Sequence, residues 1–358
     1  MDFLKIKHKN TQKDGLVIYP DFKTSNFKDI MVRGKTFYAI WDEENKIWSR
    51  NEFDVTRLVD KALREDINKL PPDVKISNIK WMDDYSSGTL KEFKKFLKDV
   101  CDSYISLDDK LTFASDVIER KDHASKRLPY DLSDKPCKAW DELVGTLYSP
   151  EEREKFEWAI GSIIAGDSVN IQKFFVFYGD PGSGKSTVLS IIEKLFEGYT
   201  TTFEAKDLVG RNNSFSLEQF NSNPLVAIQH DGDLSRIDDN SKLNSLVSHE
   251  VMNINEKYKS QYSMKIKTML FMATNKPVKV TDAKAGIIRR LVDIHPTGDI
   301  IPIKRYEELR AKIDFELGSI AQRILKLMPR KFPQKTLLAY HIPPLMERAK
   351  MLVKIYFS

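Results

Sequence analysis

Residues 174–187 read FFVFYGDPGSGKST, and this stretch decides the fold that we expect for the chain. The apolar run 174–178 is typical of a buried strand, and it stops abruptly at Gly179. Gly179, Gly182 and Gly184 then fall within six residues and are followed directly by Lys185. Glycine allows backbone conformations that other residues avoid. The stretch therefore predicts a strand, a tight glycine-rich loop and a helix over about 186–197, which ends before Gly198.

Residues 179–186 match the pattern G-x-x-x-x-G-K-S/T of a phosphate-binding P-loop. In such a loop, successive backbone N–H groups turn inward around a phosphate, and the helix N-terminus adds partial positive charge. Lys185 would reach the β- and γ-phosphates, and the Ser186 hydroxyl would bind Mg²⁺. The alternative is a simple strand–turn–helix joint that happens to contain a lysine, but the predicted strand and helix on either side favour the P-loop. The predicted nucleotide-binding residues are Gly179, Asp180, Pro181, Gly182, Ser183, Gly184, Lys185, Ser186 and Thr187.

The composition excludes several other classes of protein. The 358 residues are 41% hydrophobic and 30% charged, which is enough for a sizeable core, and the net charge of +5 permits a nucleic-acid partner without demonstrating one. Cys101 and Cys137 form no CxxC or Cys/His cluster, which argues against a disulfide framework and a zinc site. No apolar run is long enough for a membrane span. We expect a cytoplasmic protein without a membrane partner.

The turn signals, helix-cap signals and apolar periodicity along the chain predict four segments. Residues 1–54 form a small strand-rich module with a hairpin between Thr36 and Trp48, and residues 55–148 form a helical and mixed collar region. Residues 149–300 form the ATPase core, which begins with Ser149 as an N-cap and Pro150 in the first helical turn. Residues 301–358 form a C-terminal helical segment. Because strands alternate with helices in the core, we expect an α/β fold with a central parallel sheet flanked by helices.

Further polar motifs follow the P-loop in order. The strand PLVAIQ leads into His230, Asp231, Gly232 and Asp233, where the acidic residues of a Walker B motif would contact the Mg²⁺ shell and orient water. VMNINEK and YSMKIK predict a basic hairpin with Lys257 and Lys259 near its tip. The strand TMLFMAT ends next to Asn275, which is suited to sensing the γ-phosphate, and GIIRRL contributes Arg289 and Arg290.

This order of motifs resembles that of the superfamily 3 helicases of the AAA+ class, and in particular the primase-helicase branch of poxviruses, bacteriophages and plasmids. The resemblance covers residues 110–300, including LTFASDVIERKDHASKRLPYDLSDKPCKAWDELVGTL before the core. It implies an AAA+ P-loop NTPase fold and a hexameric ring that uses ATP and Mg²⁺ to move along single-stranded DNA. Forked DNA is the implied substrate, and a primase or polymerase is a candidate further partner. Residues 55–110 and about 305–328 would form the collar and lid of the ring.

The resemblance also implies a role for each matching residue. Lys185, Asp231, Asp233, Asn275 and Arg290 would be catalytic, with Arg290 acting on the ATP of a neighbouring subunit and Arg289 in reserve. Ser186 and Asp231 would hold the metal, and Lys257 and Lys259 would grip DNA. One departure concerns Walker B, where family members usually have two adjacent acidic residues and this chain has His230–Asp231. Asp231 and Asp233 would then share the work, or hydrolysis would be slow.

Plainer interpretations stay open at three places. The hairpin lysines could mark a solvated sheet edge, since lysine blocks edge pairing. The arginine pair could be ordinary surface residues or form an intradomain salt bridge. Trp41, Trp48 and Trp81 could stack on bases, but buried core is the favoured interpretation.

Three functions are therefore open at this stage. The first is a replicative DNA helicase, and the second is a DNA-associated AAA+ switch or loader that binds ATP but unwinds little. The third is the helicase part of a longer primase-helicase, because residues 1–110 contain no convincing pair of priming carboxylates and the apolar C-terminus KIYFS is compatible with truncation.

Overall fold

The computed structural model describes residues 1–11, 15–23, 28–83, 89–210, 216–234, 239–255, 262–276 and 285–331. The chain separates into two compact units, one made of Met1–Thr112 with Asp116–Arg127 and the other of Phe113–Ser115 with the chain from Leu128 onward. This division differs from the predicted one, whose boundaries lay after residues 54, 148 and 300.

The first unit contains eight strands and three helices among its described residues. Its strands are β1 (Leu4–Thr11), β2 (Gly15–Phe22), β3 (Ile30–Arg33), β4 (Thr36–Asp42), β5 (Ile47–Ser49), β6 (Ile76–Ile79), β7 (Asp108–Thr112) and β8 (Ala124–Arg127). Its helices are α1 (Phe53–Ile67), α2 (Lys80–Asp83) and α3 (Thr89–Asp99). The strands pair in the orders β1-β2-β6, β3-β4-β5 and β7-β8. The predicted hairpin is confirmed, since β4 pairs antiparallel with β5 and Trp41 lies opposite Trp48.

The strand-rich module and the start of the collar share one core, which is why they are not separate units. Val55 and Leu58 of α1 and Phe93 of α3 pack with Phe3 and other buried side chains of the strands. An amphipathic helix must bury its apolar face against another element, and here the strands provide that surface. The side chains of Trp41, Trp48 and Trp81 are at most 4% exposed, so their assignment to the core is confirmed.

The second unit contains the central sheet. Its strands are β9 (Phe174–Tyr178), β10 (Thr200–Thr202), β11 (Val226–Gln229), β12 (Val251–Ile254), β13 (Tyr262–Lys265), β14 (Met269–Thr274) and β15 (Leu291–Ile294). Its helices are α4 (Lys138–Leu147), α5 (Pro150–Ile164), α6 (Lys185–Leu195), α7 (Ala205–Leu208), α8 (Ser241–Val247), α9 (Ala285–Ile288), α10 (Ile303–Ile313) and α11 (Leu317–Lys331).

Five strands form a parallel sheet in the order β10-β11-β14-β9-β15. The predicted α/β fold with a parallel sheet and flanking helices is therefore the observed one. Strands β9, β11 and β14 are almost entirely apolar and buried, as expected for strands covered on both faces. From β9 the chain runs to β10 at one edge of the sheet, continues through β11 and β14, and then crosses over β9 to β15 at the other edge. The strand order therefore reverses between β9 and β14, and the carboxyl ends of these two neighbouring strands meet there. Ligands of open α/β sheets bind at such a point.

The start of α5 follows its sequence signals. Ser149 is the N-cap, its hydroxyl accepts a hydrogen bond from the backbone N–H of Glu152, and Pro150 occupies the first turn. The Glu152 carboxylate does not close a capping box. It accepts hydrogen bonds from Lys155 and from the backbone N–H of His295 instead, and so ties α5 to the end of β15. Within the described ranges, every helix is too short or too polar to cross a membrane.

Candidate nucleotide site

The loop between β9 and α6 has the backbone that its glycines predict. Gly182 and Gly184 lie in the left-handed region, with φ of +80° and +87°. Residues other than glycine rarely adopt this conformation. At Gly184 there is also no room for a side chain, because an added Cβ would lie 2.7 Å from Leu147 Cδ1 of α4. Residues 179–184 therefore form a tight loop that opens directly into the first turn of α6.

Lys185 begins α6, and its side chain folds back over the loop. Its ammonium group donates hydrogen bonds to the carbonyl oxygens of Gly179 and Asp180, both at 2.7 Å. The residue is 9% exposed. Burial lowers the pKa of the Lys185 ammonium, and the negative charges of Asp180 and Asp231 oppose this shift. The loop thus holds a buried cation whose hydrogen bonds go to two neutral carbonyls, which is an electrostatic setting that attracts a phosphate group.

The ends of two neighbouring strands bring further polar groups to this loop. Asp231 follows β11, and Thr274 and Asn275 stand at the end of β14. The Gly232 N–H donates to the Ala273 carbonyl at 2.8 Å, which ties the Asp231 turn to β14. Lys185, Ser186, Asp231 and Asn275 line one cavity of about 510 Å³. The structure therefore brings these four predicted site residues together from three separate segments of the chain, with five further residues of the predicted loop, 181–184 and 187, in the same lining.

The donor set in this cavity fits a hard divalent cation. Ser186 is exposed, and its hydroxyl and the Asp231 carboxylate are oxygen ligands of the kind that Mg²⁺ prefers. Among the described residues, no group of three His, Cys, Asp or Glu side chains could hold a metal by itself.

The two acidic residues after β11 have different surroundings. Asp231 lines the cavity, whereas the Asp233 carboxylate accepts a hydrogen bond from the Lys276 ammonium at 2.7 Å. Asp233 is not among the residues that line the cavity. His230 lines it, and a nitrogen of its ring lies 3.1 Å from a carboxylate oxygen of Glu193 on α6. In place of a second adjacent acid, the chain thus has a histidine that is held against the P-loop helix.

Gln229, the last residue of β11, helps to hold the strand end that precedes Asp231, a role that the sequence motifs do not predict. Its side-chain oxygen accepts from the Ala205 N–H at 2.8 Å, and its amide nitrogen donates to the Glu204 carboxylate at 2.9 Å. Gln229 is 8% exposed and its bond to Ala205 is buried, so this bond holds the end of β11 firmly, whereas Glu204 is exposed. No local signal distinguishes this glutamine from others in the sequence.

Another wall of the cavity is mostly apolar, with Asp299 as its acidic member, and lies at the start of the C-terminal helical segment. Ile300, Ile301, Ile303 and Tyr306 line it together with Leu147. The hydroxyls of Tyr306 and Thr187 lie 2.7 Å apart, which joins α10 to the first turn of α6. Ile300 and Ile303 are 85% and 78% exposed, so they present apolar surface toward solvent at this wall. The residues about 305–328 were predicted to form a lid, and the wall begins just before them.

Arg289 and Arg290 differ in how far their side chains are buried. Arg290 is 9% exposed, and its guanidinium donates to the Ser248 hydroxyl at 2.7 and 3.0 Å and to the Gly286 carbonyl at 2.9 Å. Burial lowers the pKa of the Arg290 guanidinium, and the positive charge of Arg289 adds to this effect. Arg289 is exposed. Arg290, the predicted trans-acting residue, is therefore held by hydrogen bonds within its own chain, whereas the Arg289 side chain is exposed to solvent.

The predicted basic hairpin is present as a pair of strands. β12 and β13 are antiparallel, with Met252 opposite Met264, so this prediction is confirmed. Met252 and Met264 pack against the core of the second unit and anchor the hairpin to it. Lys257 and Lys259, the predicted DNA-binding residues near the tip, lie outside the described residues.

Comparison with known proteins gives one family match and several distant structural similarities. A model described as a family of unknown function, DUF5906, matches residues 177–290, from the end of β9 to the arginine pair. The apo structure of the NrS-1 C-terminal region is 16% identical, with a TM-score of 0.44, over 62% of this chain and 56% of that chain. Its A form gives 14% identity and a TM-score of 0.48 over 84% of this chain and 68% of that chain. The crystal structure of JCV helicase with a bound acetamide compound gives 14% identity and a TM-score of 0.32 over 55% of this chain and 54% of that chain.

Proposed function

We propose that the protein is an ATP-dependent DNA helicase of viral or phage replication type, a ring-forming ATPase of superfamily 3. The observation that supports this proposal is the cavity at the carboxyl ends of β9, β11 and β14, where Lys185, Ser186, Asp231 and Asn275 converge. A buried cation in a glycine loop, a metal-binding carboxylate and a polar sensor are the parts that phosphoryl transfer requires.

In this proposal, each wall of the cavity recognises one part of ATP. The N–H groups of residues 182–186 and the Lys185 ammonium bind the β- and γ-phosphates. Ser186 and Asp231 hold Mg²⁺, which would neutralise the charge that develops on the phosphate oxygens. The apolar wall of Leu147, Ile301 and Tyr306 takes the base. Asn275, at the end of the neighbouring strand, donates to the γ-phosphate or to the attacking water.

The arginine that completes the site comes from the adjacent subunit of the ring in this proposal. A guanidinium that approaches the γ-phosphate stabilises the charge of the transition state and makes hydrolysis depend on the position of the neighbour. The exposure of Arg289 supports it for this role over Arg290, because three hydrogen bonds would have to break before Arg290 could leave Ser248 and Gly286.

Replacing Asp231 with asparagine is expected to reduce ATP hydrolysis far more than replacing Asp233 with asparagine. Asp231→Asn should keep ATP binding but reduce hydrolysis by about 10²-fold or more, because a neutral amide no longer offsets the Mg²⁺ charge. Asp233→Asn should reduce hydrolysis less than threefold, since its carboxylate pairs with the exposed Lys276 and such pairs contribute about 0–1 kcal/mol. Steady-state ATPase with a parallel nucleotide-binding assay measures both. A larger loss in Asp233→Asn would assign the metal-binding role to Asp233.

The hairpin lysines are expected to determine the electrostatic part of DNA affinity. Replacing Lys257 and Lys259 together with alanine should weaken single-stranded DNA binding about equally for all sequences. The slope of log affinity against log salt should fall by about 1.4 units, or about 0.7 for each lost phosphate contact. Titrations at several salt concentrations measure this slope. An unchanged slope would identify the two lysines as residues that only protect a strand edge.

A second candidate is an ATP-binding switch or loader with little unwinding activity, and the observation that favours it is His230. A histidine bonded to Glu193 occupies the position next to Asp231 where an acid is expected, and imidazole cannot replace a carboxylate toward Mg²⁺. Measuring ATPase activity with and without single-stranded DNA, beside strand separation of a forked duplex, distinguishes the two functions. A helicase shows stimulated hydrolysis and unwinding, whereas a switch binds ATP and DNA but separates no strands.

A further inference from the structure

The first unit has a cavity of its own, which the proposed ATPase mechanism does not use. Its volume is about 620 Å³, and it lies beside β3, β5 and the loop segments 102–105 and 120–123. Trp48 forms part of its wall, and the Trp48 indole N–H donates to the Arg120 carbonyl at 2.8 Å. This bond ties the basic segment 120–123 to the sheet, so the cavity has a well-supported base.

The side chains around this cavity carry charges of both signs. Lys28, Arg120 and Lys121 line it, with Asp102 as the acidic member of the lining. Arg120 is paired with the buried Asp29 at 2.7 Å. The Lys121 side chain pairs with Glu119 but is 76% exposed, and a pair at such a site neutralises little of the field around it. Lys28 and Lys121 are therefore the exposed cations of the lining, and they are the side chains that an anionic group could reach.

Two arginines beside the cavity are stacked on tyrosines, and we call Arg33, Tyr104, Tyr38 and Arg50 the arginine–tyrosine row. The Arg33 guanidinium lies 4.7 Å from the Tyr104 ring centre, and the Arg50 guanidinium lies 5.7 Å from that of Tyr38. The two rings meet edge to face at 5.4 Å. Among the described residues, neither arginine forms an ion pair.

The row combines the two features that bind an unpaired nucleic-acid strand. Phenol rings and guanidinium planes are surfaces on which bases stack, and uncompensated arginines bind phosphates. Tyr104 is 42% exposed and Ile105 is 57% exposed, so apolar and planar surface is accessible at the mouth of the cavity. An apolar peptide would account for Ile105 but not for the unpaired arginines, whereas a single strand accounts for both.

We propose that the arginine–tyrosine row, with the adjoining cavity of the first unit, binds single-stranded nucleic acid. Bases would stack at Tyr104 and the Arg33 guanidinium, and phosphates would contact Arg33, Arg50 and Lys28. This site belongs to a different unit of the chain from the P-loop and the hairpin. Binding at this site requires neither ATP nor assembly of several chains. The proposed site is therefore independent of the proposed helicase activity.

The test measures oligonucleotide affinity in the full chain with Lys257 and Lys259 replaced by alanine, so that the hairpin lysines do not contribute. In this background, Arg33→Gln with Arg50→Gln should lower affinity for a labelled single strand and reduce the salt slope by about 1.4 units. Tyr104→Leu should weaken binding at least fivefold through lost stacking. The matched control is Arg64→Gln with Lys69→Gln, which removes the same charge from exposed positions of the same unit.

Equal effects of the control and the row variants would overturn the proposal, because only the overall charge would then matter. Circular dichroism and melting temperature confirm that each variant is folded, which is expected because the replaced side chains are at least partly exposed. A second measurement uses the unaltered sequence, with photo-crosslinking to strands that contain 5-bromouracil followed by peptide mapping. Crosslinks at 98–110 support the site, and crosslinks confined to the second unit contradict it. DNA and RNA strands of the same sequence are compared, and the tighter one identifies the ligand.

Discussion

Lys185→Ala should abolish ATP hydrolysis, with a loss of about 10³-fold or more, and should weaken ATP binding. The Lys185 ammonium is the buried cation of the loop and is held by the carbonyls of Gly179 and Asp180. Without it, the γ-phosphate loses the charge that stabilises the transition state, and groups of this kind each contribute about 10² to 10³ in rate. Steady-state ATPase activity and fluorescent-nucleotide binding give the two quantities.

The same helix supplies a matched control for this prediction. Lys194 lies on α6 as well, but it is exposed at the far end, where its ammonium pairs with Asp314. Lys194→Ala should change hydrolysis less than twofold, since an exposed ion pair contributes little. If both variants retain near-normal turnover, the cavity at the end of β9 is not the site of hydrolysis. If both lose it, the loss reflects damage to α6 rather than missing phosphate contacts.

Arg289→Ala should reduce hydrolysis by about 10³-fold while leaving the fold and nucleotide binding intact. This is the size of the effect that an arginine has when it stabilises the transferring phosphoryl group from outside the loop. The Arg289 side chain is exposed, so its removal leaves no buried group without a partner. The ATPase rate should therefore fall while the melting temperature and the nucleotide affinity stay unchanged.

Arg290→Ala should differ from Arg289→Ala, because it should lower the stability of the fold rather than remove a group that acts on ATP. Its guanidinium makes three hydrogen bonds that link the strand β15 region to Ser248 and Gly286. Losing charged hydrogen bonds of this kind costs about 1.5–3 kcal/mol each, so the melting temperature should fall. If Arg290→Ala instead melts normally and is inactive, while Arg289→Ala is active, then Arg290 is the trans-acting residue that the motif order predicts.

Mixing two inactive variants tests whether the arginine acts between subunits. In a ring of Arg289→Ala and Lys185→Ala subunits, one kind of interface joins an intact P-loop with an intact Arg289. Some hydrolysis should therefore return, with a maximum at intermediate mixing ratios. A flat profile, under conditions in which subunit exchange is verified, would place the arginine in its own subunit or remove it from the site.

Local patterns determined a large part of this protein. The glycine spacing of residues 179–184, the apolar run before it and the helical period after it specify a strand, a loop and a helix, because each depends on backbone preferences within a few residues. The same holds for the Ser149 cap and for the hairpin of β12 and β13. The α/β class follows as well, since alternating strands and helices have few ways to bury their apolar faces.

Other features depend on contacts between distant segments, and only the tertiary structure decides them. Arg289 and Arg290 are identical in type and adjacent in sequence, and only the position of Ser248 buries one of them and leaves the other exposed. Tyr306 and Thr187 are 119 positions apart and Gln229 and Ala205 are 24 apart, so no local spacing predicts their hydrogen bonds. The arginine–tyrosine row likewise joins β3 and β4 to residues near 104. Such pairings arise from how elements pack, because chain position alone does not determine which side chains meet.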